Sequence, residues 1–315
     1  MKLVFMGTPD FAVPALEILH RHHEVVGVVT AVDKPAGRGK KLRVSAVKAA
    51  AEKMNLPLLQ PENLKDTAFQ SELKALGAEL FVVVAFRMLP ESVWAMPPKG
   101  TINLHASLLP QYRGAAPINR AIMNGETRTG LTTFFIEREI DTGFIIEQTE
   151  LKIGADENAG SLHDRMMTAG AKLLSETVDH IESDTVNPKP QTPNDGEVLM
   201  SAHKIFKEDC QINWNNSADQ VHNHIRGLSP YPAAWTIGSG TDMDNVNFKI
   251  YTSQHHSEIN DLSPGQAAVK DAKLFVGTGT HALSVSEIQP AGKKRMATDA
   301  WLRGASLPKD FKFES

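Results

Sequence analysis

The sequence predicts an α/β chain, with a doubly wound, mostly parallel, Rossmann-like sheet followed by a smaller β-barrel. Three observations predict it. Short β-branched apolar runs alternate with helical periodicity through residue 183. A stretch rich in Pro, Asn, Asp and Gly then interrupts the pattern. Beyond it, short strand-like runs recur between Gly, Asp, Asn and Ser breaks. At 315 residues the chain has room for two domains.

The elements follow in order. Leu3–Met6, closed by Gly7, reads as a buried first strand, and Thr8 or Asp10 is placed to cap the helix carrying Phe11, Ala15, Leu16, Ile18 and Leu19. Val25–Val32 is β-branched and reads as a strand. Ser45–Met54 and Asp66–Leu76 read as helices, and Leu80–Ala85 is a very apolar strand. Thr101–Leu104 is a strand, and Pro117–Met123 opens a helix with Pro in its first turn. Thr132–Ile136 and Phe144–Leu151 flank Asp141-Thr142-Gly143 as a late strand pair, before a long helix over Ser161–Ile181. Residues 184–200 hold Pro188, Pro190, Pro193 and Asn194-Asp195-Gly196 and read as a linker. Gln211–Trp214, Ala234–Ile237, Val246–Tyr251, Lys273–Val276 and Leu283–Ile288 then suggest a barrel of the oligonucleotide-binding (OB) type.

Composition excludes several classes. The chain is 41% hydrophobic and 22% charged, which rules out disorder and low complexity. Its single cysteine, Cys210, rules out an intramolecular disulfide and Cys-rich zinc modules, and points to a reducing compartment. No apolar run approaches membrane-spanning length, and Gly7-Thr8-Pro9-Asp10 breaks any leader-like start, so a cytoplasmic location is expected. The net charge of -4 is an average: +4 over residues 1–50, -8 over 51–200 and zero over 201–315. The positive excess is concentrated in Lys34, Arg38, Lys40, Lys41, Arg43 and Lys48, with a second cluster at Lys293, Lys294 and Arg295. A charge run is usually a solvated face, but Pro35, Gly37 and Gly39 make the first cluster an exposed mobile loop that also suits phosphate contact.

The first loop holds one Gly where a dinucleotide site needs three, which disfavours a nicotinamide enzyme. Among twelve histidines, His20, His22 and His23 read as surface decoration after a helix, and no spacing points to a metal. Asn103 and His105 differ. They lie two apart at the end of a strand, where open parallel sheets form their sites. His105 suits a general base and Asn103 an oxyanion donor, with Asp141 as a third member beside the imidazole. On spacing alone, a buried structural histidine and a turn asparagine fit equally well. A hydrolase using Ser107 lacks the Gly-x-Ser-x-Gly elbow.

Taken together, Gly7-Thr8-Pro9-Asp10-Phe11, Lys34–Lys41, Asn103-x-His105-x-Ser107-Leu108-Leu109-Pro110, Tyr112–Ile118, Asp141-Thr142-Gly143, Ile288–Lys293 and Arg303-Gly304 resemble the methionyl-tRNA formyltransferases over nearly the whole chain. The resemblance implies the formyltransferase fold, with a catalytic domain at 1–183 (basic insertion 33–43), a linker at 184–203 and an OB-like tRNA-binding domain at 204–315. It implies formyl transfer from 10-formyltetrahydrofolate to the methionine amine of initiator methionyl-tRNA, without a metal, by a monomer. Asn103, His105 and Asp141 would be catalytic. Phe86, Arg87, Met88, Leu89, Ser107, Leu108, Leu109 and Pro110 would border the folate. Lys34, Arg38, Lys40, Lys41 and Arg43, with Lys293, Lys294 and Arg295, would meet the tRNA. Arg87 and Glu139 depart from the small residue and the Gly usual at those places. The alternatives are a formyltransferase acting on an amino sugar nucleotide, for which the basic insertion has no use, and a tRNA-binding protein with an inactive site.

Overall fold

β1 (Lys2–Gly7) is buried from Leu3 onward, so the sheet it belongs to must be covered on both faces. The computed structural model describes all residues except 37–40, 194–195, 242, 306 and 309. After β1, α1 (Val13–His22) is led in by a 3-10 turn, Asp10–Ala12; neither Thr8 nor Asp10 caps it, and Pro14 occupies its first turn instead. Next come β2 (Glu24–Val29), which ends three residues sooner than expected, and the two short arms β3 (Lys34–Ala36) and β4 (Lys41–Arg43). α2 (Ala46–Lys53) starts where the Ser45 hydroxyl accepts from the Lys48 N–H, and α3 (Thr67–Ala75) where Asp66 accepts from the N–H groups of Ala68 and Phe69. β5 (Leu58–Leu59) lies between them. β6 (Leu80–Val84) is wholly buried, and β7 (Thr101–His105) follows a one-turn helix, α4 (Glu91–Trp94). β8 (Arg113–Gly114) has two residues, α5 (Pro117–Met123) follows, and β9 (Arg128–Phe135) and β10 (Ile145–Lys152) precede α6 (Ala159–Glu182).

The main sheet has the order β10-β9-β7-β6-β1-β2-β5. Pairing is parallel from β5 to β7, and β9 runs antiparallel to β7. This is the expected doubly wound sheet with a mixed edge. Val4, Met6, Val29, Phe69, Leu73, Phe81 and Val83 pack one face into a core. Gly7 ends β1 where a Cβ would lie 2.8 Å from the Ala12 Cβ and 3.0 Å from the Val84 carbonyl, so no side chain fits there.

The chain divides into two compact units: residues 1–114, 129–151 and 163–201, and residues 115–128, 152–162 and 202–315. Two earlier segments, 115–128 and 152–162, thus group with the C-terminal part. Inside the second unit, the Asn119 side chain on α5 donates to the Gly227 carbonyl (2.7 Å) on a helix, α7 (Ala218–Leu228), that the strand reading missed. The strands there are β12 (Ala234–Gly240), β13 (Met243–His256), β14 (Ala267–Lys270), β15 (Lys273–Val276), β16 (Ala282–Pro290) and β18 (Lys312–Glu314), after a two-residue β11 (Ser201–Ala202); β17 (Met296–Ala297) pairs with β16. They form an antiparallel sheet in the order β14-β15-β16-β13-β12-β18, and a bridge from Gln266 to Lys312 brings its two ends together as a near-barrel. Gln211–Trp214 is not one of its strands: it follows a 3-10 turn, touches β12 through the Ile212 N–H on the Trp235 carbonyl (2.8 Å), and buries Trp214 completely. Trp214, Phe248, Phe311 and Phe313 fill the core.

Replacing Asp66 by Ala removes the cap of α3 and should lower stability by about 1 kcal/mol, read as a lower denaturant midpoint at unchanged slope.

Candidate active site

The carboxyl end of β7 carries Asn103 and His105, and alternate strand residues share a face, so both side chains leave the sheet on one side. β7 is an interior strand, with Asn103 paired to Val83 of β6 and to Phe134 of β9. His105 is 6% exposed. Its Nε2 lies 2.9 Å from the Tyr112 carbonyl oxygen. A carbonyl only accepts, so Nε2 carries the proton and the neutral ring keeps its lone pair at Nδ1. Nδ1 faces Asp141 Oδ2 at 3.8 Å, too far for a hydrogen bond yet close enough to stabilise an imidazolium. Among the described residues, the Asn103 amide makes no side-chain hydrogen bond, so its N–H groups are available to an incoming acceptor.

Asp141 has the left-handed backbone that Asp tolerates (φ 55°). Its Oδ2 accepts the Gly114 N–H at 3.0 Å. Gly143 closes the same turn, where a Cβ would fall 1.7 Å from the Phe135 carbonyl oxygen. The turn is also held from outside. Gln191 donates to the carbonyls of Asp141 (3.0 Å) and Gly143 (2.7 Å), while its own oxygen accepts from Arg113 Nε and Nη2 (3.0 and 2.7 Å). Gln191 belongs to the stretch read as a linker, and Lys189 beside it bridges to Ile145. Nothing in the local sequence marks Gln191 as part of a site.

The loop after His105 is pinned by one hydroxyl. Thr132 Oγ1 donates to the Ser107 carbonyl (2.7 Å) and accepts from the Leu109 N–H (3.1 Å) and Gln148 Nε2 (2.9 Å), which exhausts its capacity. Ser107 is 1% exposed and its hydroxyl donates to the Gln111 carbonyl at 2.6 Å, which makes it a loop tie and no nucleophile. Leu109 is buried, whereas Leu108 and Pro110 are half-buried.

The other expected folate residues follow β6. Ala85 has a left-handed backbone (φ 48°), a strained conformation for a residue with a Cβ and one that turns the chain sharply into Phe86. Arg87 Nη1 and Nη2 reach back to the carbonyls of Glu62 (2.9 Å) and Pro61 (2.5 Å), so the atypical arginine braces a neighbouring loop. Arg87, Met88 and Leu89 wall an open cleft of about 710 Å³ against Glu62–Lys65; Ser107–Pro110 do not line it. Glu139 lends only its carbonyl, to the Thr142 hydroxyl.

Of the basic candidates, Arg38 and Lys40 lie outside the described residues. The backbones of Lys34, Lys41 and Arg43 form an antiparallel ribbon, with Lys34 opposite Arg43. Lys48, from the same run, is instead half-buried and paired with Asp33 (2.5 Å), whose carboxyl its hydrogen bond and that of Gln60 hold below the usual range. Lys293 and Lys294 are exposed. Arg295 is engaged: Nε and Nη2 pair with Glu287 (2.7 and 2.5 Å), pulling that carboxyl down, and the guanidinium stacks 4.2 Å from the Tyr251 ring.

A family profile described as "Formyl transferase" matches residues 1–178, and one described as "Formyl transferase, C-terminal domain" matches 204–306. A methionyl-tRNA formyltransferase of Bacteroides thetaiotaomicron is 50% identical over 99% of this chain and 98% of its own length. One from Flavobacterium johnsoniae is 48% identical over 99% and 98%. Among solved structures, an N-formyltransferase of Helicobacter canadensis, in complex with folinic acid and dTDP-3-aminofucose, superposes with a TM-score of 0.65 at 21% identity, covering 90% of this chain and 98% of that one. HypX of Aquifex aeolicus, in complex with tetrahydrofolic acid, gives 0.63 at 17%, covering 96% and 47%. At such identities the likeness is one of fold.

Replacing Thr132 by Val keeps the shape and strands the Leu109 N–H and Ser107 carbonyl. A loss of about 1–3 kcal/mol is expected in denaturant titration.

Proposed function

The chain belongs to the methionyl-tRNA formyltransferases, and from that premise we propose how its own residues perform the reaction. The protein transfers the formyl group of 10-formyltetrahydrofolate to the α-amine of methionine on initiator tRNA, the step that prepares it for translation initiation. The neutral amine attacks the formyl carbon, the new N–C bond forms, and the carbonyl oxygen takes up negative charge. The Asn103 amide donates to that oxyanion. His105 Nδ1 accepts the amine proton, and Asp141 stabilises the imidazolium so formed. Collapse of the intermediate breaks the bond to folate N10, and the proton on Nδ1 leaves with that nitrogen. The observation that carries this reading is the hydrogen bond of His105 Nε2 to the Tyr112 carbonyl, which leaves Nδ1, on the Asp141 side, as the basic atom.

Folate is the formyl donor, and we assign its wall to Phe86, Arg87, Met88 and Leu89 together with Ser107–Pro110. The tRNA is assigned to the basic segment Lys34–Arg43 and to the C-terminal domain through Lys293 and Lys294, with Arg295 reached only if it leaves Glu287. The domain division at 1–183 and 204–315, with 184–203 between, is supported by the spans of the two family profiles. We further take the protein to act as a cytoplasmic monomer; among the described residues, no helix is long and apolar enough to cross a membrane. An amino-sugar substrate and an inactive tRNA binder are both disfavoured by relatives of 46–50% identity that carry the tRNA enzyme's name.

Incubation with 10-formyltetrahydrofolate and charged initiator methionyl-tRNA should yield formyl-methionyl-tRNA. His105→Ala should lower kcat by roughly 10²–10⁴ and Asn103→Ala by roughly 10²–10³, with substrate affinities little changed. No product above the His105→Ala background would sink the proposal. Arg38→Ala and Lys41→Ala should raise KM for tRNA, most at low salt and with a shallower salt dependence than the unaltered protein, and leave folate binding alone. An equal loss of folate affinity would remove the ribbon from the tRNA site.

A further inference from the structure

At the amino ends of the same parallel strands, opposite the carboxyl ends that carry Asn103 and His105, stands a second group of ionisable side chains. His23 follows α1 and leads into β2. Sequence placed it on the surface, but it is 8% exposed and its side chain only 2%. Neither ring nitrogen has a hydrogen-bond partner. A buried polar group left in that state is destabilising, so a side chain kept there calls for a partner.

Two carboxylates approach it. Asp179 Oδ1 is 3.3 Å from Nε2, and Glu182 Oε2 is 3.4 Å from Nδ1. Neither oxygen is aligned for a hydrogen bond from the ring. Two ligands on one tetrahedral ion, each bound at about 2.0–2.1 Å, stand about 3.4 Å apart, and the lone pair of each points at the ion and away from the other ligand. Both nitrogen–oxygen separations match that spacing, but the two oxygens flank different ring nitrogens, so one carboxylate must swing over for both to meet a single ion. Asp179 and Glu182 are three apart on α6 and so share a helix face. Both are about half exposed, so their rotamers can adjust to one ring nitrogen. The other Glu182 oxygen, Oε1, accepts from the Met1 ammonium at 2.5 Å, which leaves Oε2 turned to His23.

We propose that His23, Asp179 and Glu182 form a binding site for a divalent cation of the zinc class, with one imidazole nitrogen, one oxygen from each carboxylate, and water as ligands. The ion is structural and takes no part in formyl transfer. It ties the entry of β2 to the last turn of α6, two segments more than 150 residues apart in the chain.

The test uses the full chain, stripped with a chelator and titrated with Zn²⁺ or Co²⁺ alone. One equivalent should bind saturably by calorimetry, Co²⁺ should develop visible absorption, and Tm should rise with metal concentration. Asp179→Asn and Glu182→Gln keep the shape of half-exposed side chains, and the Tm of each metal-free variant reads any loss of fold, including that of the Met1–Glu182 pair. Each should weaken binding roughly tenfold or more and leave formyl transfer by the metal-free protein unchanged. His23→Gln should abolish the Co²⁺ absorption. An absence of saturable binding would overturn the proposal and leave His23 as a site for a proton. Equal zinc affinity in both carboxylate variants would overturn it too, by placing the ion on other histidines.

Discussion

A single hydrogen bond, from His105 Nε2 to the Tyr112 carbonyl, is the constraint on which the proposed chemistry depends. It settles the tautomer, and with it which ring nitrogen keeps its lone pair. The bond in turn depends on an unusual backbone. Tyr112 has φ 58°, in the left-handed region that residues with a Cβ avoid. It is kept there by its N–H on the Met200 carbonyl at 2.7 Å and by the Ser107 hydroxyl on the neighbouring Gln111 carbonyl. Thr132 then fastens Ser107 and Leu109 to the sheet. The loop from 105 to 112 is therefore a support for one imidazole, built almost entirely from main-chain polar groups that a strand end leaves unpaired.

Asp141 is arranged by the same economy. Its carboxylate is neither fully ion-paired nor free: one oxygen takes a backbone N–H while the imidazole waits 3.8 Å away. At that distance the carboxylate is placed to stabilise positive charge that develops on the ring.

Much of this was legible in the amino-acid sequence, for physical reasons. Buried parallel strands must be continuously apolar, so β1, β2, β6 and β7 announce themselves. The i, i+2 spacing of Asn103 and His105, at a strand end, places two polar side chains together where sites form. Other parts were not legible, because their signals are backbone groups or distant partners. The Tyr112 carbonyl and the Gly114 N–H have no side-chain signature. Gln191 looks like any linker glutamine until the fold brings it to Asp141. α7 was missed although Ser217 and Gln220 form a capping box ahead of it, since His222, His224 and Arg226 interrupt its apolar face. Charge was the least reliable guide: Lys48 and Arg295 belong to conspicuous basic clusters, yet both are committed to carboxylates within the fold.

The place of Gln191 has a practical corollary for anyone recombining such proteins. A Pro-rich stretch between two family modules invites a splice anywhere along it, on the assumption that tethers are interchangeable. Here the tether's first half is a strut of the acid-bearing turn, through Lys189 on Ile145 and Gln191 on Asp141, Gly143 and Arg113. A hybrid that keeps its own residues through 201 retains the turn it was built around. One joined at 184 keeps its own Asp141 but inherits a foreign strut to hold it.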